Sequence, residues 1–259
     1  MTVERIHRTI ELMHPPRLEL ESEQPEEVES SHARRIDIDR ASLRSRRVVF
    51  PEDSGPAARA YRMLRTQLLQ LVRTHELRTI GIVSAADGEG KTVTAINLAL
   101  SLAAEPNQTV LLVDLDLHRP NVAVLLGLPA QCGLEAWLSG DAFIDDLFWG
   151  LAGIERLRVL PTVAPCPGSS DLLAGARVRD LLHELESRYA DRLVLLDLPP
   201  VLLTDDVITL APLLDGVVIV ASEGYTRRED LKRMTELLRS VRLVGTVLNC
   251  ASESERRAY

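Results

Sequence analysis

Aromatic side chains are scarce in this sequence of 259 residues: phenylalanine, tryptophan and tyrosine together make up 3%. A core therefore has to be built from leucine, valine, isoleucine and alanine, and an apolar share of 46% is enough to bury a sizeable one. The length suggests one or two domains. Long apolar runs are missing too, because aspartates interrupt the C-terminal half before any run reaches the roughly 20 residues of a membrane-spanning helix. These aspartates are Asp197, Asp205, Asp206 and Asp215.

Cysteine is also rare, and Cys132, Cys166 and Cys250 are scattered without the close pairs typical of redox motifs. Such spacing favours reduced thiols in the cytosol, and the first residues contain no apolar core of the signal-peptide type. We therefore expect a cytoplasmic protein. The net charge of −8 argues against nucleic acid as a ligand, because binding to phosphate backbones requires a basic surface.

The first 50 residues differ in composition from the rest. They contain an acidic run from Glu19 to Glu29 and an arginine-rich stretch from Arg34 to Arg47, and charge blocks of this kind rarely fold on their own. We predict a largely disordered N-terminal arm over residues 1–50, in which residues 36–39 are a candidate docking element. The arginines either attract an acidic surface, such as anionic lipid or a partner, or form a solvated tail.

Residues 51–250 are predicted to form one domain and residues 251–259 a flexible tail. Within the domain, apolar runs alternate with helical segments, which indicates an α/β fold with a doubly wound, mostly parallel sheet. The predicted strands are Thr79–Ser84, Val110–Asp114, Leu157–Leu160, Leu193–Asp197, Val217–Ala221 and Leu243–Asn249. The predicted helices are Ala57–Val72, Thr92–Ala104, Arg177–Ala190, Asp205–Leu213 and Arg227–Val241.

The first of these strands runs into a glycine-rich loop that ends in Gly90-Lys91-Thr92, and a helix follows. This is the P-loop pattern GxxxxGK[ST] with Ala85 in place of the first glycine, and its strand–helix context predicts a P-loop NTPase. Lys91 is expected to reach the β- and γ-phosphates and Thr92 to offer its hydroxyl to Mg²⁺. A glycine-rich turn without a ligand is the alternative. The predicted nucleotide-binding residues of the loop are Asp87, Gly88, Glu89, Gly90, Lys91 and Thr92.

Two later strands end in carboxylates: one runs into Asp114 and Asp116, and the other ends in Asp197. We expect the strand of Asp114 to lie next to the P-loop strand, so that both acids meet the phosphates. They would help hold Mg²⁺, and one would accept a proton from an attacking hydroxyl. Asp197 ends its strand in the Walker B manner and would orient Mg²⁺ through water. The alternative is that these acids are loop residues that cap the next segment or end a strand in a turn.

Taken together, several segments resemble the bacterial tyrosine kinases of capsule and exopolysaccharide synthesis. No single segment is specific, but the combination is, and it covers about residues 55–250. The segments are Tyr61–Thr66, Ser84–Thr92, Val113–Pro120, Gly133–Gly140, Ser169–Ala174, Leu195–Pro200 and Gly245–Asn249.

The resemblance implies an ATP- and Mg²⁺-dependent kinase that phosphorylates tyrosines in its own C-terminal tail, between subunits of a ring-shaped homo-oligomer. It also implies a membrane partner, the chain-length regulator of polysaccharide export, which would activate the kinase and recruit it to the inner membrane. By position, the implied catalytic residues are Lys91, Asp114, Asp116 and Asp197, and the implied metal-binding residues are Thr92 and the same three aspartates. Asn249 corresponds to the residue that contacts adenine, and Asp114 is our choice as the acceptor of the tyrosine proton.

This sequence departs from the family at three points. The pre-loop helix of the family reads Glu-x-x-Arg-x-x-Arg and packs between subunits; here Arg62 and Arg65 match, whereas Arg59 stands in the place of the glutamate. His118 replaces an arginine. The tail holds one tyrosine, Tyr259, instead of a cluster, and this residue is either the phosphoacceptor or an incidental terminal residue.

Three other functions stay open. The first is an ATP-binding or ATP-hydrolysing switch of polysaccharide export without kinase activity, which the sparse tail and Arg59 favour. The second is a partitioning-type ATPase with a deviant Walker loop, although Ala86 occupies the position of that class's extra lysine. The third is an adaptor that keeps only the fold.

Overall fold

The computed structural model describes residues 34–187 and 192–251. In this part of the chain, eight strands form one sheet: β1 (Arg34–Ile36), β2 (Thr79–Ser84), β3 (Thr109–Asp114), β4 (Trp149–Leu151), β5 (Ile154–Leu160), β6 (Arg192–Asp197), β7 (Gly216–Ser222) and β8 (Leu243–Asn249). The sheet order is β1-β4-β5-β3-β6-β2-β7-β8, and every neighbouring pair is parallel except β4 with β5. The predicted doubly wound, mostly parallel α/β fold is confirmed.

Helices connect these strands and cover the sheet. They are α1 (Arg40–Ser45), α2 (Pro56–His75), α3 (Lys91–Ala103), α4 (Val122–Leu126), α5 (Leu134–Ser139), α6 (Ser169–Ala174), α7 (Ala176–Ser187), α8 (Asp206–Leu210) and α9 (Arg228–Leu237), with 3₁₀ turns at Ile144–Leu147 and Ala211–Leu213. Within the described ranges, no helix is both long and apolar enough to cross a membrane.

Each face of the sheet packs against its own helices. Successive side chains of a strand point to opposite faces, so β3 sends Val110 and Leu112 to one core and Leu111 and Val113 to the other. The first core contains apolar residues of α2 and α3, and the second contains those of α7, α8 and α9. Burial on both faces explains why the central strands are apolar almost throughout, since each fully buried Leu, Val or Ile contributes about 1.5–3 kcal/mol.

The strand order corrects one expectation about the site. We expected β3 to lie beside the P-loop strand β2, but β6 lies between them and pairs with both. The connection through α3 therefore skips one position in the sheet, and the later strand β6 fills it. Asp114 and Asp197 become register partners at the carboxyl ends of β3 and β6. All acidic strand ends thus still gather at the edge of the sheet where the loop lies.

The prediction of a largely disordered arm is wrong for its last part, residues 34–50. Residues 34–50 are ordered: β1 pairs with β4, and Leu43, Val48 and Phe50 are buried in the first core. Charge composition alone misled the prediction, because a few apolar residues are enough to anchor a charged segment on an existing core. Residues 1–33 and the tail 252–259 lie outside the described residues, so disorder of the arm and flexibility of the tail stay predictions there.

The arginines of this segment have partners within the chain. Arg44 forms an ion pair with Asp53 at 2.7 Å, and Arg46 donates to the carbonyl of Val124 at 2.5 Å. Arg40 pairs with Glu52 and lies over the ring of Phe50. These side chains attach α1 to the domain. The sequence pattern suggested binding to an acidic surface or a solvated tail, but not ion pairs and hydrogen bonds within the chain.

Candidate active site

The P-loop lies between the end of β2 and the start of α3. Gly88 and Gly90 have φ angles of +80° and +89°, a left-handed conformation that glycine adopts without a steric penalty. Among the described residues, no side chain caps the first turn of α3. Its free amides and the positive end of the helix dipole are therefore available to an anion, as a phosphate site requires.

Lys91 is the centre of the site. It is 8% exposed, and its Nζ lies 2.6 Å from Asp116 Oδ2 and 4.0 Å from Asp197 Oδ1. Burial works to lower the pKa of Lys91, but the charges of Asp197 and Asp116 outweigh it and the pKa is raised. The ammonium is therefore charged and held by two carboxylates from neighbouring strand ends. The structure thus brings together the predicted lysine and two of the three predicted acids.

Asp197 is fully buried, yet neither of its carboxylate oxygens has a hydrogen-bond partner among the described residues. Burial raises the pKa of this carboxyl to about 6, while the charge of Lys91 limits the rise. An unsatisfied buried carboxylate is costly, so it points to a group that the free chain does not supply. Asp197 and Thr92, which is 8% exposed, are the residues best placed to meet a metal ion.

Asp114 has a different environment. Its Oδ2 accepts the backbone amides of Asn121 and Val122, both at 3.0 Å, and its Oδ1 accepts the amide of Asp116 at 3.2 Å. It is fully buried, and burial together with the charge of Asp197 holds its pKa well above the usual range. These bonds fix the loop that leads into α4. Asp114 therefore caps the next segment, as the alternative interpretation of the sequence proposed, but its carboxylate is buried and not solvated. Its roles as base and metal ligand stay predictions.

No group of three or more His, Cys, Asp or Glu side chains in the described ranges is arranged to hold a metal ion. In the acid cluster, Asp114 accepts hydrogen bonds from backbone amides, and Asp116 forms an ion pair with Lys91. The open oxygens of Asp197 and the hydroxyl of Thr92 still fit Mg²⁺. This ion keeps several waters and commonly takes only one or two carboxylates from the protein.

Asn249 reaches the loop from the end of β8. Its Nδ2 donates to the carbonyl of Glu89 at 3.0 Å, and its Oδ1 accepts the amide of Cys250 at 2.9 Å. A Cβ on Gly90 would lie only 2.0 Å from Asn249 Nδ2, so a side chain here would displace the Asn249 amide from the loop, and it would also be strained at a φ of +89°. The side chain therefore braces the loop, and its contact with adenine stays a prediction.

At the other end of the loop, Asp87 forms an ion pair with Arg119 at 2.5 Å. The backbone amide of Arg119 donates to Asp116 Oδ1 at 2.9 Å. Asp116 therefore connects Lys91 to the loop after β3, and Arg119 connects that loop back to the P-loop. We did not single out Arg119 from the sequence, because nothing in its spacing shows that residues 87 and 119 meet.

A second group that sequence reasoning missed lies beside this loop. His118 Nε2 lies 3.0 Å from Ser169 Oγ and 3.1 Å from Asp206 Oδ2, and Ser169 donates to that same carboxylate oxygen at 3.0 Å. One imidazole nitrogen meets both partners, whereas a hydrolytic triad uses the two nitrogens separately. We therefore interpret the group as a connection between the loop after β3, α6 and α8. The departure of His118 from the family's arginine was the available signal.

The predicted interface arginines are bonded within their own chain. Arg62 donates to the carbonyls of Pro51 and Asp53 at 2.8 and 3.1 Å. Arg65 pairs with Glu105 at 3.0 Å. Their role between subunits stays a prediction. The phosphoacceptor candidate Tyr259 lies outside the described residues.

The parallel sheet and the loop at the start of α3 define a P-loop nucleotide-binding domain. The chain belongs to the CobQ/CobB/MinD/ParA nucleotide-binding domain family, which matches residues 80–257, and to the bacterial tyrosine kinases within this group. The resemblance inferred from the sequence motifs is thereby confirmed.

Three relatives illustrate this membership. Tyrosine-protein kinase YwqD of Bacillus subtilis is 29% identical over 223 residues, covering 85% of this chain and 92% of YwqD. Tyrosine-protein kinase CpsD of Streptococcus pneumoniae serotype 4 is 31% identical over 182 residues, covering 67% of this chain and 76% of CpsD. The succinoglycan biosynthesis transport protein ExoP of Rhizobium meliloti is 29% identical over 239 residues, covering 88% of this chain and 29% of ExoP.

A solved structure extends the comparison to three dimensions. The chimerical protein CapA2B2 superposes with a TM-score of 0.72 at 26% sequence identity, covering 84% of this chain and 93% of that chain. The similarity in fold therefore extends over most of this chain.

Proposed function

We propose that this chain is an ATP-dependent protein tyrosine (auto)kinase that regulates capsular or exopolysaccharide synthesis and export. The observation that carries the proposal is the position of Lys91 at the start of α3, 2.6 Å from Asp116 and 4.0 Å from Asp197. A cation beside a helix N-terminus binds phosphate groups, and carboxylates beside it serve proton and metal chemistry.

In this proposal the triphosphate of ATP lies along the amides of residues 88–92. Lys91 turns from Asp116 towards the β- and γ-phosphates and neutralises charge on the transferring group. Its departure frees an oxygen of Asp116. A tyrosine oxygen then attacks the γ-phosphorus, the bond to the β-phosphate oxygen breaks, ADP leaves, and the phenolic proton passes to a carboxylate. Asp116 is better placed for that proton than Asp114, because three backbone amides already occupy Asp114.

Thr92 and Asp197 would hold Mg²⁺ in this site, and the ion would supply neutralisation of phosphate charge when bound. Support comes from the two buried oxygens of Asp197, which have no hydrogen-bond partner among the described residues. Tyr259 is the proposed phosphoacceptor, because it is the one tyrosine of the predicted tail.

The proposal extends to partners and location. We infer a cytoplasmic homo-oligomer that a membrane-bound chain-length regulator recruits to the inner membrane. Support comes from the motif resemblance and from ExoP, a relative named for both succinoglycan biosynthesis and transport. For Arg62 and Arg65 to contact another subunit, they would have to give up their present bonds within the chain.

Phosphotyrosine detection after incubation with ATP and Mg²⁺ tests the proposal. Wild type should become labelled, Lys91→Met should not, and Tyr259→Phe should lose the tail signal. Lys232 is the other lysine of the sequence and is exposed on α9, so Lys232→Met is a matched control that should be labelled like wild type. Labelling of Lys91→Met at the wild-type level would contradict the proposed site.

The second candidate is an ATP-dependent switch of polysaccharide export without kinase activity. The observation that favours it is that Arg62 and Arg65 are already bonded within the chain, while Arg59 reverses the charge expected for the family's subunit contact. ATP hydrolysis that depends on Lys91 but leaves no phosphotyrosine on any residue would select this candidate.

A further inference from the structure

Glu89 is an unexpected residue for a phosphate-binding loop. It is 1% exposed, and a buried carboxylate facing the phosphates would repel them. Its side chain instead turns back into the protein, where Oε2 accepts the amides of Ala85 at 2.7 Å and Ala86 at 3.0 Å. The carboxylate therefore connects the end of the loop to its start at Ala85, the position of the first glycine in the P-loop pattern GxxxxGK[ST].

The other oxygen, Oε1, accepts the hydroxyl of Thr226. Thr226 ends the turn Ser222–Thr226 that follows β7, and this turn is held by its own bonds. The amide of Ser222 donates to Thr226 Oγ1 at 2.7 Å, and the amide of Thr226 donates to the Ser222 carbonyl at 2.9 Å. The turn thus presents one fixed hydroxyl to the loop.

Asn249 supplies a second connection between the same parts. Its side chain donates to the Glu89 carbonyl at 3.0 Å, and its own carbonyl accepts the amide of Glu223 in the turn at 2.9 Å. The P-loop, the turn after β7 and the end of β8 are therefore joined in a closed set of hydrogen bonds. We call the side chains of Glu89, Thr226 and Asn249 the clasp.

We propose that the clasp holds the phosphate-binding loop in its binding conformation, with Glu89 as the positioning residue and Thr226 as its anchor. The inference rests on the proposed nucleotide site and adds a determinant that lies on the turn after β7. Gly88 and Gly90 give the loop its left-handed turns. Glycines also allow many other backbone conformations, so ordering the loop costs more conformational entropy. Bonds that remove this freedom before the ligand arrives raise its affinity, so residue 226 acts on phosphate binding through Glu89.

The test is a titration with a fluorescent ADP analogue, because nucleotide affinity is independent of kinase activity. Glu89→Gln separates two effects of opposite sign. If the carboxylate merely adds negative charge near the phosphates, its removal strengthens binding. The clasp requires the reverse, about a tenfold loss of affinity, because the amide of glutamine has one accepting oxygen where the carboxylate uses two, and it cannot accept from the loop amides and from Thr226 together.

Thr226→Val should weaken binding by a similar factor, and Thr226→Ser should restore affinity because it keeps the hydroxyl. In the double variant Glu89→Gln/Thr226→Val, the loss of binding free energy should be smaller than the sum of the two single losses, since both changes disrupt the bond between Glu89 and Thr226. In kinase assays the KM for ATP should rise, with kcat at saturating ATP retained. Glu229→Gln and Thr235→Val are matched exposed controls on α9, and both should bind like wild type.

Thermal unfolding of each variant without nucleotide shows that the variant is folded. Unchanged or tighter binding by Glu89→Gln, unchanged binding by Thr226→Val, or additive losses in the double variant would overturn the clasp. Those results leave the proposed function standing as long as wild type binds the analogue. If the wild-type protein does not bind the ADP analogue, both the proposed nucleotide site and the clasp are contradicted.

Discussion

Asp197 should make the nucleotide-free protein less stable at neutral pH. The carboxyl is fully buried, neither oxygen has a hydrogen-bond partner in the described chain, and its pKa is raised from an ordinary 3.8 to about 6. A shift of about 2 units corresponds to about 3 kcal/mol between the two protonation states. We therefore expect Asp197→Asn, which cannot ionise, to be more stable than wild type at pH 8 by up to about 3 kcal/mol.

The dependence on pH follows from the direction of the shift. Because the folded pKa lies above the unfolded pKa, the folded protein binds more protons between about pH 4 and pH 6. Wild-type stability therefore falls as the pH rises through this window and is lowest, as far as this group is concerned, above about pH 7. The advantage of Asp197→Asn should shrink to about half at pH 5.

Urea denaturation at pH 5 and pH 8, with EDTA and without nucleotide, measures both effects. Asp146→Asn removes an exposed charge and is the matched control; it should change stability by less than about 0.5 kcal/mol at either pH. A variant that is less stable than wild type at pH 8 would refute the reasoning. It would mean that the attraction of Lys91 exceeds the cost of burying the charge.

Three further variants probe other parts of the molecule. Phe50→Ala should lower the free energy of unfolding by about 3–5 kcal/mol in urea denaturation, because the ring is 1% exposed in the first core; a change below about 1 kcal/mol would contradict anchoring of residues 34–50. Gly90→Ala should abolish nucleotide binding in the titration while the protein stays folded, because alanine is strained at a φ of +89° and its Cβ would displace the Asn249 side chain from the loop. Asp114→Ala should lose about 2–4 kcal/mol of stability through three unpaired backbone amides, whereas a purely catalytic acid would cost little.

The sequence predicts the central sheet well for a physical reason. Strands covered on both faces must be apolar throughout, and such runs are easy to recognise; β2 and β8 have the predicted bounds. Strands β1 and β4 were missed because each has three residues and gains its stability from pairing with a neighbour. Sheet order was also out of reach, since the runs that become β2 and β3 show nothing of the strand between them.

The acid cluster shows a finer limit. Asp114 and Asp116 are two residues apart at one strand end, and their types and spacing are equivalent in the sequence. The path of the following loop distinguishes them, because it directs the amides of Asn121 and Val122 to Asp114 and leaves Asp116 facing Lys91. The sequence therefore identifies which acids gather at the site, but the division of their roles depends on how the loop returns into α4.

The two sides of the candidate site differ in a way that suits ligand binding. On the side of β7 and β8, the polar groups of Glu89 and Asn249 are bonded to one another or to backbone, which keeps the loop rigid. On the side of β3 and β6, three buried carboxylates lie near one lysine, which contacts two of them, Asp116 and Asp197. The pKa values of Asp114 and Asp197 are raised. Burying carboxylates that are not fully neutralised lowers the stability of the free protein, and a bound ligand offsets this cost. A rigid cradle beside an under-neutralised acidic cluster therefore favours binding of a phosphate chain together with a cation over either one alone.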